Sequence, residues 1–226
     1  SAVNTEQYKE YFKNFLAEGY DVLIHLNISS QMSTTHQSAK LAGEELGNVY
    51  VIDSASLSTG MGLQAIYASE LAQSGKYTPE QIVQKVESRK SNICAGFILD
   101  KLEYLYRGGR CSAISMLGAN LLKLKPIIEV HDGKMGMYGK CIGKFENCVT
   151  KYIEQTLEKY NTPDNTRVFI THTKVDPKIV ENVKHILQQK TQFKEIIETT
   201  AGATITSHCG PNTIGILFYN DANGEK

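Results

Sequence analysis

The stretch "NISSQMSTTHQSAK", residues 27–40, sets five hydroxyls, Ser29, Ser30, Ser33, Thr34 and Thr35, within seven positions. Hydroxyls beside free backbone N–H groups can seat an anion where a strand turns into a helix. The same residue types also cap helix N-termini, so capping is the structural alternative. A second hydroxyl cluster runs from Ser54 to Thr59. Near the C-terminus, "SHCGPNTIG", 207–215, places His208 beside a Gly210-Pro211-Asn212 turn, where Asn can take the left-handed conformation. An imidazole held by a rigid turn can donate to a carboxylate. "RGGR", 107–110, has two readings that stand level: a tight positive-φ turn, or a platform that shows Arg110 to a partner or an anion.

Other chemistries find less support. There is no G-x-S-x-G elbow and no H-E-x-x-H helix. Ser30 with a distant His, such as His208, could form a hydrolase pair, so a serine esterase or thioesterase is kept as the alternative. A binding module for a phosphorylated small ligand is a third reading, suggested by the strand-end hydroxyls. Cys209 follows His208, but neighbouring side chains point apart in extended chain, so Cys209 reads as a packed thiol. His36, His172 and His185 have no carboxylate or thiol at metal-ligand spacing, and no metal site is expected. His25 lies in an apolar strand and reads as a satisfied core residue, whereas His131 reads as solvated in a turn.

The elements that must position these groups follow from periodicity. Tyr8, Phe12, Phe15 and Leu16 recur at helical spacing over residues 5–18, and "DVLIHLNI" reads as a buried strand. "HQSAKLAGEELG" is a second helix and "VYVIDS" a second strand, an order that predicts a parallel α/β layer. Ligands in such layers sit beyond the carboxyl ends of the strands, where both hydroxyl clusters fall. Helices are predicted over 58–75 and after Thr78, where Thr78, Pro79 and Gln81 make a capping box.

Beyond residue 91, strands are expected at 93–99, 167–173, "FKEIIETTAG" and "NTIGILFY". Helices are expected at "SAISMLGANLLKL", "FENCVTKYIEQTLEKY" and "PKIVENVKHILQQK", with a short helical turn before Gly108-Gly109. Asp132-Gly133 predicts a type I′ hairpin. The fold class is therefore α/β with two domains, the first built on a mostly parallel sheet and the second mixed α+β. The division is placed between Gly75 and Ser91, giving domains of about 1–80 and 81–226.

With 24 basic and 24 acidic residues among 226, the chain has no net charge to draw it to nucleic acid. No window approaches the apolar length of a membrane span, and "SAVNTEQYKEYFKNF" has no signal-peptide pattern. Five scattered cysteines without a C-x-x-C pair predict reduced, buried thiols in a cytoplasmic protein.

Five stretches taken together, "ISSQMSTTHQSA", "VYVIDSASLSTGMG", "LEYLYRGGRCS", "LLKLKPIIEVHDGKM" and "HCGPNTIGILF", resemble the DegV family of bacterial lipid-binding proteins. They occur in the family's order and span nearly the whole chain. The resemblance implies two α/β domains holding one long-chain fatty acid between them, and a carrier without catalytic residues or cofactor. It also implies a partner, a fatty acid kinase that phosphorylates the presented carboxylate to an acyl phosphate.

Carried residue by residue, the carboxylate seat maps onto Ser29 and Ser30 and onto His208, and Arg110 matches the position that engages the kinase. The candidate ligand-binding set is thus Ser29, Ser30, Ser33, Thr35 and His208. An acyl chain needs apolar walls, for which Phe97, Ile98, Leu102, Ile114, Leu117, Leu121 and Ile128 are candidates. A sixteen-carbon tail could contribute on the order of 10 kcal/mol at about 0.8 kcal/mol per methylene, before ordering costs.

The chain departs from the family pattern in four places. Thr34 stands where a glycine is usual, Cys111 replaces an isoleucine, and Asn212 replaces the second glycine of a Gly-Pro-Gly turn. The family pattern also has an upstream segment with a first strand and one further threonine contact, before the point where this sequence begins.

Overall fold

The computed structural model describes residues 2–109 and 124–222. The chain forms two compact units, Ser1–Ser91 with Asp132–Lys134, and Asn92–His131 with Met135–Lys226.

In the first unit, α1 (Thr5–Ala17) is opened by Asn4, whose side chain accepts from Gln7 N while Gln7 returns the bond. Strand β1 (Leu23–Asn27) leads to α2 (Thr35–Leu46), then β2 (Val49–Asp53), α3 (Thr59–Gln73) and α4 (Pro79–Arg89). The two strands pair in parallel, with His25 beside Val51 and Asn27 beside Asp53. Alternation decides what each face buries. Leu23, Val49 and Val51 pack with Tyr8, Phe12, Ala39 and Ala42 of α1 and α2. Ile24, Leu26 and Ile52 pack with Tyr67, Leu71, Ile82 and Val86 of α3 and α4. The Thr78–Gln81 capping box forms as predicted.

The second unit holds β3 (Ile93–Leu99), α5 (Glu103–Arg107), β4 (Leu124–His131), β5 (Lys134–Ile142), α6 (Phe145–Lys159), β6 (Arg167–His172), α7 (Pro177–Lys190), β7 (Glu195–Thr200), α8 (Ala203–Cys209) and β8 (Thr213–Tyr219). Its six-stranded sheet runs β5-β4-β3-β8-β6-β7. Strands β6 and β7 are parallel, whereas β3 runs antiparallel to β4 and β8, and β6 antiparallel to β8. One face packs on α6 and α7 through Ile98, Ile127, Tyr152, Ile153, Val183 and Leu187. The centre is tight: a Cβ on Gly215 would lie 2.3 Å from the Gly96 carbonyl oxygen. Asp132 and Gly133 both have positive φ, +49° and +76°, as a type I′ turn requires. Among the described residues no helix is long and apolar enough to cross a membrane.

Five expectations are corrected or bounded. Residues 203–209, to which the sequence pattern assigns no element, form helix α8. Cys141 and Cys148 are joined as a disulfide rather than free, tying the end of β5 to the first turn of α6. Ile98 pairs with Ile127 in the core facing α6 and α7, whereas Phe97 pairs with Ile128, so Phe97 and Ile98 cannot line one wall. Ile114, Leu117, Leu121, Cys111, Arg110 and most of the helix expected at 112–124 lie outside the described residues. The division between the units falls after Ser91, with α4 on the first unit's side.

Candidate functional site

At the carboxyl ends of β1 and β2, the hydroxyl cluster divides by what each proton does. Ser29 is fully buried. Its N–H donates to Ser56 O at 2.9 Å, and its hydroxyl donates to Gly133 O at 2.6 Å while accepting from Gln31 N at 3.2 Å. A Cβ on Gly133 would lie 2.5 Å from Ser29 Oγ, so the close approach requires glycine there. Ser30 is exposed, and its N–H donates to Asp53 Oδ1 at 3.1 Å. Ala55 N donates to the same oxygen at 2.9 Å. Burial alone would raise the Asp53 carboxyl, but bonds from the Ser30 side chain and from the Ala55 and Ser30 amides outweigh it and hold the group below its ordinary range. The protons of Ser29 and Ser30 therefore shape the turn.

Ser33 and Thr35 differ. Ser33 Oγ accepts from Thr35 N at 3.2 Å, and among the described residues its own proton meets no acceptor. Thr35 opens α2, is nearly buried, and lies 2.7 Å through Oγ1 from the Tyr8 hydroxyl, which accepts from Asn27 Nδ2 at 2.9 Å. Thr34, at the N-cap position, makes no side-chain cap bond, so the dipole of this twelve-residue helix opens toward the cluster with Ser33 as its side-chain cap. Polar atoms of neighbouring buried groups, Asn27 Oδ1, Ser56 Oγ, Gln64 Oε1 and His36 Nδ1, also lack partners among the described residues. His25 packs edge-on against Tyr8 and Phe12, with ring centres 5.4 and 5.1 Å away. Burial, helped by the charge of His36, pushes its imidazole down to about 4, so it is neutral near pH 7. It is a core residue as expected, but its Nε2 is unsatisfied among the described residues.

In the second unit His208 sits on the last turn of α8, directly before the Gly210-Pro211-Asn212 turn. Its position is set by glycine: a Cβ on Gly108 would lie 2.3 Å from His208 Nδ1, and one on Gly210 2.3 Å from the Tyr104 ring. Thr173 Oγ1 donates to Gly210 O at 2.8 Å and Thr213 Oγ1 to Cys209 O at 3.0 Å, which fix the helix end. Asn212 takes φ +54°, and its amide reaches Asp100 Oδ2 at 3.5 Å, where Lys125 forms an ion pair with the same side chain. Cys209 is buried and its thiol is pushed up to about 12 by desolvation, consistent with a packed thiol.

His131 is not simply solvated: its Nε2 lies 2.8 Å from Glu129 Oε2, which also accepts from Lys159 at 2.6 Å and from the Tyr160 hydroxyl at 2.8 Å. His172 likewise finds a carboxylate, Glu198, at 3.0 Å from the neighbouring strand. Among the described residues no group of three or more His, Cys, Asp or Glu side chains is placed to hold a metal ion.

The architecture of a two-stranded parallel layer followed by a mixed six-stranded sheet is that of a known class. The family model described as "Uncharacterised protein, DegV family" matches residues 1–221, and the chain belongs to the DegV family. A protein of Thermotoga maritima called "Fatty acid-binding protein" is 32% identical over 222 residues, covering 95% of this chain and 75% of its own. The crystal structure of a DegV lipid binding protein from the same organism superposes with a TM-score of 0.83 at 28% identity, covering 97% of this chain and 76% of that one. A Streptococcus pneumoniae structure, the Fatty Acid Kinase (Fak) B3 protein loaded with linoleic acid, shares the fold with a TM-score of 0.83 at 18% identity, covering 98% of this chain and 78% of that one.

Proposed function

We propose that the protein binds one long-chain fatty acid as a non-catalytic carrier and presents its carboxylate to a fatty acid kinase. The observation that carries the reading is the pair of hydroxyls at the N-terminus of α2: the Ser33 proton meets no acceptor among the described residues, and Thr35 Oγ1 lies 2.7 Å from the Tyr8 hydroxyl. A carboxylate there would take two hydroxyl donors and the favourable end of a helix dipole. Ser29 and Ser30 hold the turn that positions them. The resemblance adds His208 as an imidazole donor to the acid, and its close seating against Gly108 suits a donor of fixed direction. Lipid binding is supported by the names of the Thermotoga relatives. The kinase partner, with Arg110 as a contact, rests on the resemblance.

Native mass spectrometry of the purified protein, followed by lipid extraction, tests this. One fatty acid mass per chain, lost or strongly reduced in Ser33→Ala with Thr35→Val, is the expected result. A chain that takes up no fatty acid when palmitate is supplied would sink the proposal. Turnover of an activated ester abolished by Ser30→Ala would replace it with the esterase alternative.

A further inference from the structure

Tyr8 and Asn27 are outside the candidate ligand-binding set, yet Tyr8 bonds to Thr35 and Asn27 bonds to Tyr8. Tyr8 is 7% exposed and Asn27 4%, and their side chains form a chain of bonds that ends on Thr35. Either hydroxyl of the Tyr8–Thr35 pair can donate, and one of the two orders leaves a donor for a ligand. Asn27 Nδ2 donates to the Tyr8 oxygen at 2.9 Å. The Tyr8 proton then needs an acceptor, since a buried hydroxyl left without one is unfavourable, and Thr35 Oγ1 at 2.7 Å is the acceptor in reach among the described residues. With Tyr8 donating, Thr35 Oγ1 is engaged as an acceptor and its own proton points elsewhere. The opposite order would turn the Thr35 proton back onto Tyr8 and leave the seat one donor short.

We infer that Tyr8, backed by the Asn27 amide, is a positioning residue that turns the Thr35 hydroxyl outward as a donor to the bound carboxylate. This rests on the proposal that Thr35 belongs to the carboxylate seat. Cooperative polarisation along the chain strengthens the last donor. The relay lies wholly within the first unit, on α1, β1 and α2, so it links the register of α1 to the donor strength of the seat.

A double-mutant cycle with palmitate as the probe tests the relay. Thr35→Val is expected to weaken binding about tenfold or more, the range for a hydrogen bond to a charged acceptor. Tyr8→Phe is expected to weaken it about threefold in the native background, and to have no further effect once Thr35 is Val. Asn27→Asp provides the second arm. A carboxylate can only accept, so Tyr8 must donate to it and Thr35 must donate to Tyr8. Its loss should match that of Thr35→Val and vanish in the Thr35→Val background, whereas simple charge repulsion would persist there. Thermal midpoints of each variant separate weakened binding from weakened folding. If Thr35→Val leaves the affinity unchanged, the seat itself is wrong. If Thr35→Val weakens binding but the effects of Tyr8→Phe and Asn27→Asp merely add to it, the relay is wrong and the seat stands.

Discussion

Gly108→Ala places a methyl group where His208 now sits. Its Cβ would lie 2.3 Å from Nδ1 and 3.0 Å from Cε1 of the ring, with the Tyr104 carbonyl oxygen 3.3 Å away on another side. Ordinary contact begins near 3.4 Å, so the imidazole must retreat by more than an ångström. The backbone beneath it has little freedom, because Gly210 N donates to Thr206 O at 2.8 Å and Thr173 holds the Gly210 carbonyl at 2.8 Å. The ring therefore has to rotate or shift off its present direction. If that direction serves a carboxylate, one charge-assisted bond is lost, worth about 1.5–3 kcal/mol, or roughly 10- to 150-fold in affinity.

Competition against a fluorescent fatty acid reads this directly, and the His208 ring signals in NMR report whether the imidazole moved. Gly109→Asn is the matched control. Gly109 has φ +68° with nothing within 4 Å of a built Cβ, and Asn tolerates that conformation. The control should fold and bind as the parent does. Displaced His208 signals with unchanged affinity would refute the role given to the ring.

The second unit offers three further tests. Breaking the Cys141–Cys148 bridge by Cys141→Ser should cost about 2.5 kcal/mol, the loop-closure value for so short a loop, read as a lower urea midpoint in the absence of reductant; equal midpoints would show that the bridge adds nothing. Gly215→Ala should destabilise by about 3 kcal/mol, because its Cβ would meet a backbone oxygen and the Phe97 Cα and Cβ, none of which can swing away; a native-like denaturation curve would contradict the packing. Burial works to raise the Glu129 carboxyl, but the bonds from Lys159, His131 and Tyr160 prevail and lower it. Its contribution is thus present above the unfolded value near 4.5 and lost as pH falls through the lower folded value, so Glu129→Gln should flatten the acid limb of a stability-against-pH curve below pH 5. An acid limb as steep as the parent's would remove Glu129 from the account.

Much of the fold is legible in the residues because local signals and burial agree. Residues 93–99 are apolar throughout and form a strand over those positions, and Thr78, Pro79 and Gln81 announce a helix start that the backbone obeys. Helix α8 is not legible, since Thr204, Ile205 and Thr206 favour extended chain and seven residues between Gly202 and Gly210 carry too little periodicity to outweigh that. The disulfide escapes for another reason: Cys141 lies at the end of a strand and Cys148 inside a helix, and only the bend at Gly143 and Lys144 between those elements brings them to 5.6 Å between Cα atoms. Of the site, the hydroxyl-bearing types were visible, but not which protons are spent. Ser29 meets an acceptor 104 residues away, and Thr35 depends on a tyrosine 27 residues upstream. No pattern along the chain encodes such pairings.

The Ser29–Gly133 bond also sets a clock. The loop after β1 is held by a carbonyl that leaves the ribosome 104 residues later. At about 5–20 residues per second, that is a delay of roughly 5–20 s during which Ser29 has its hydroxyl but not its partner. The turn at Asp132–Lys134 belongs to the first unit by its contacts while the chain on either side belongs to the second. Thus the first unit is begun early in synthesis and finished late, and the hydroxyl loop that reads as ligand seat is completed only when a hairpin from mid-chain arrives. A nascent chain paused before residue 133 would lack the acceptor of the Ser29 hydroxyl, so the bonded form of that loop should appear as a step once residue 133 emerges, not as a gradual gain.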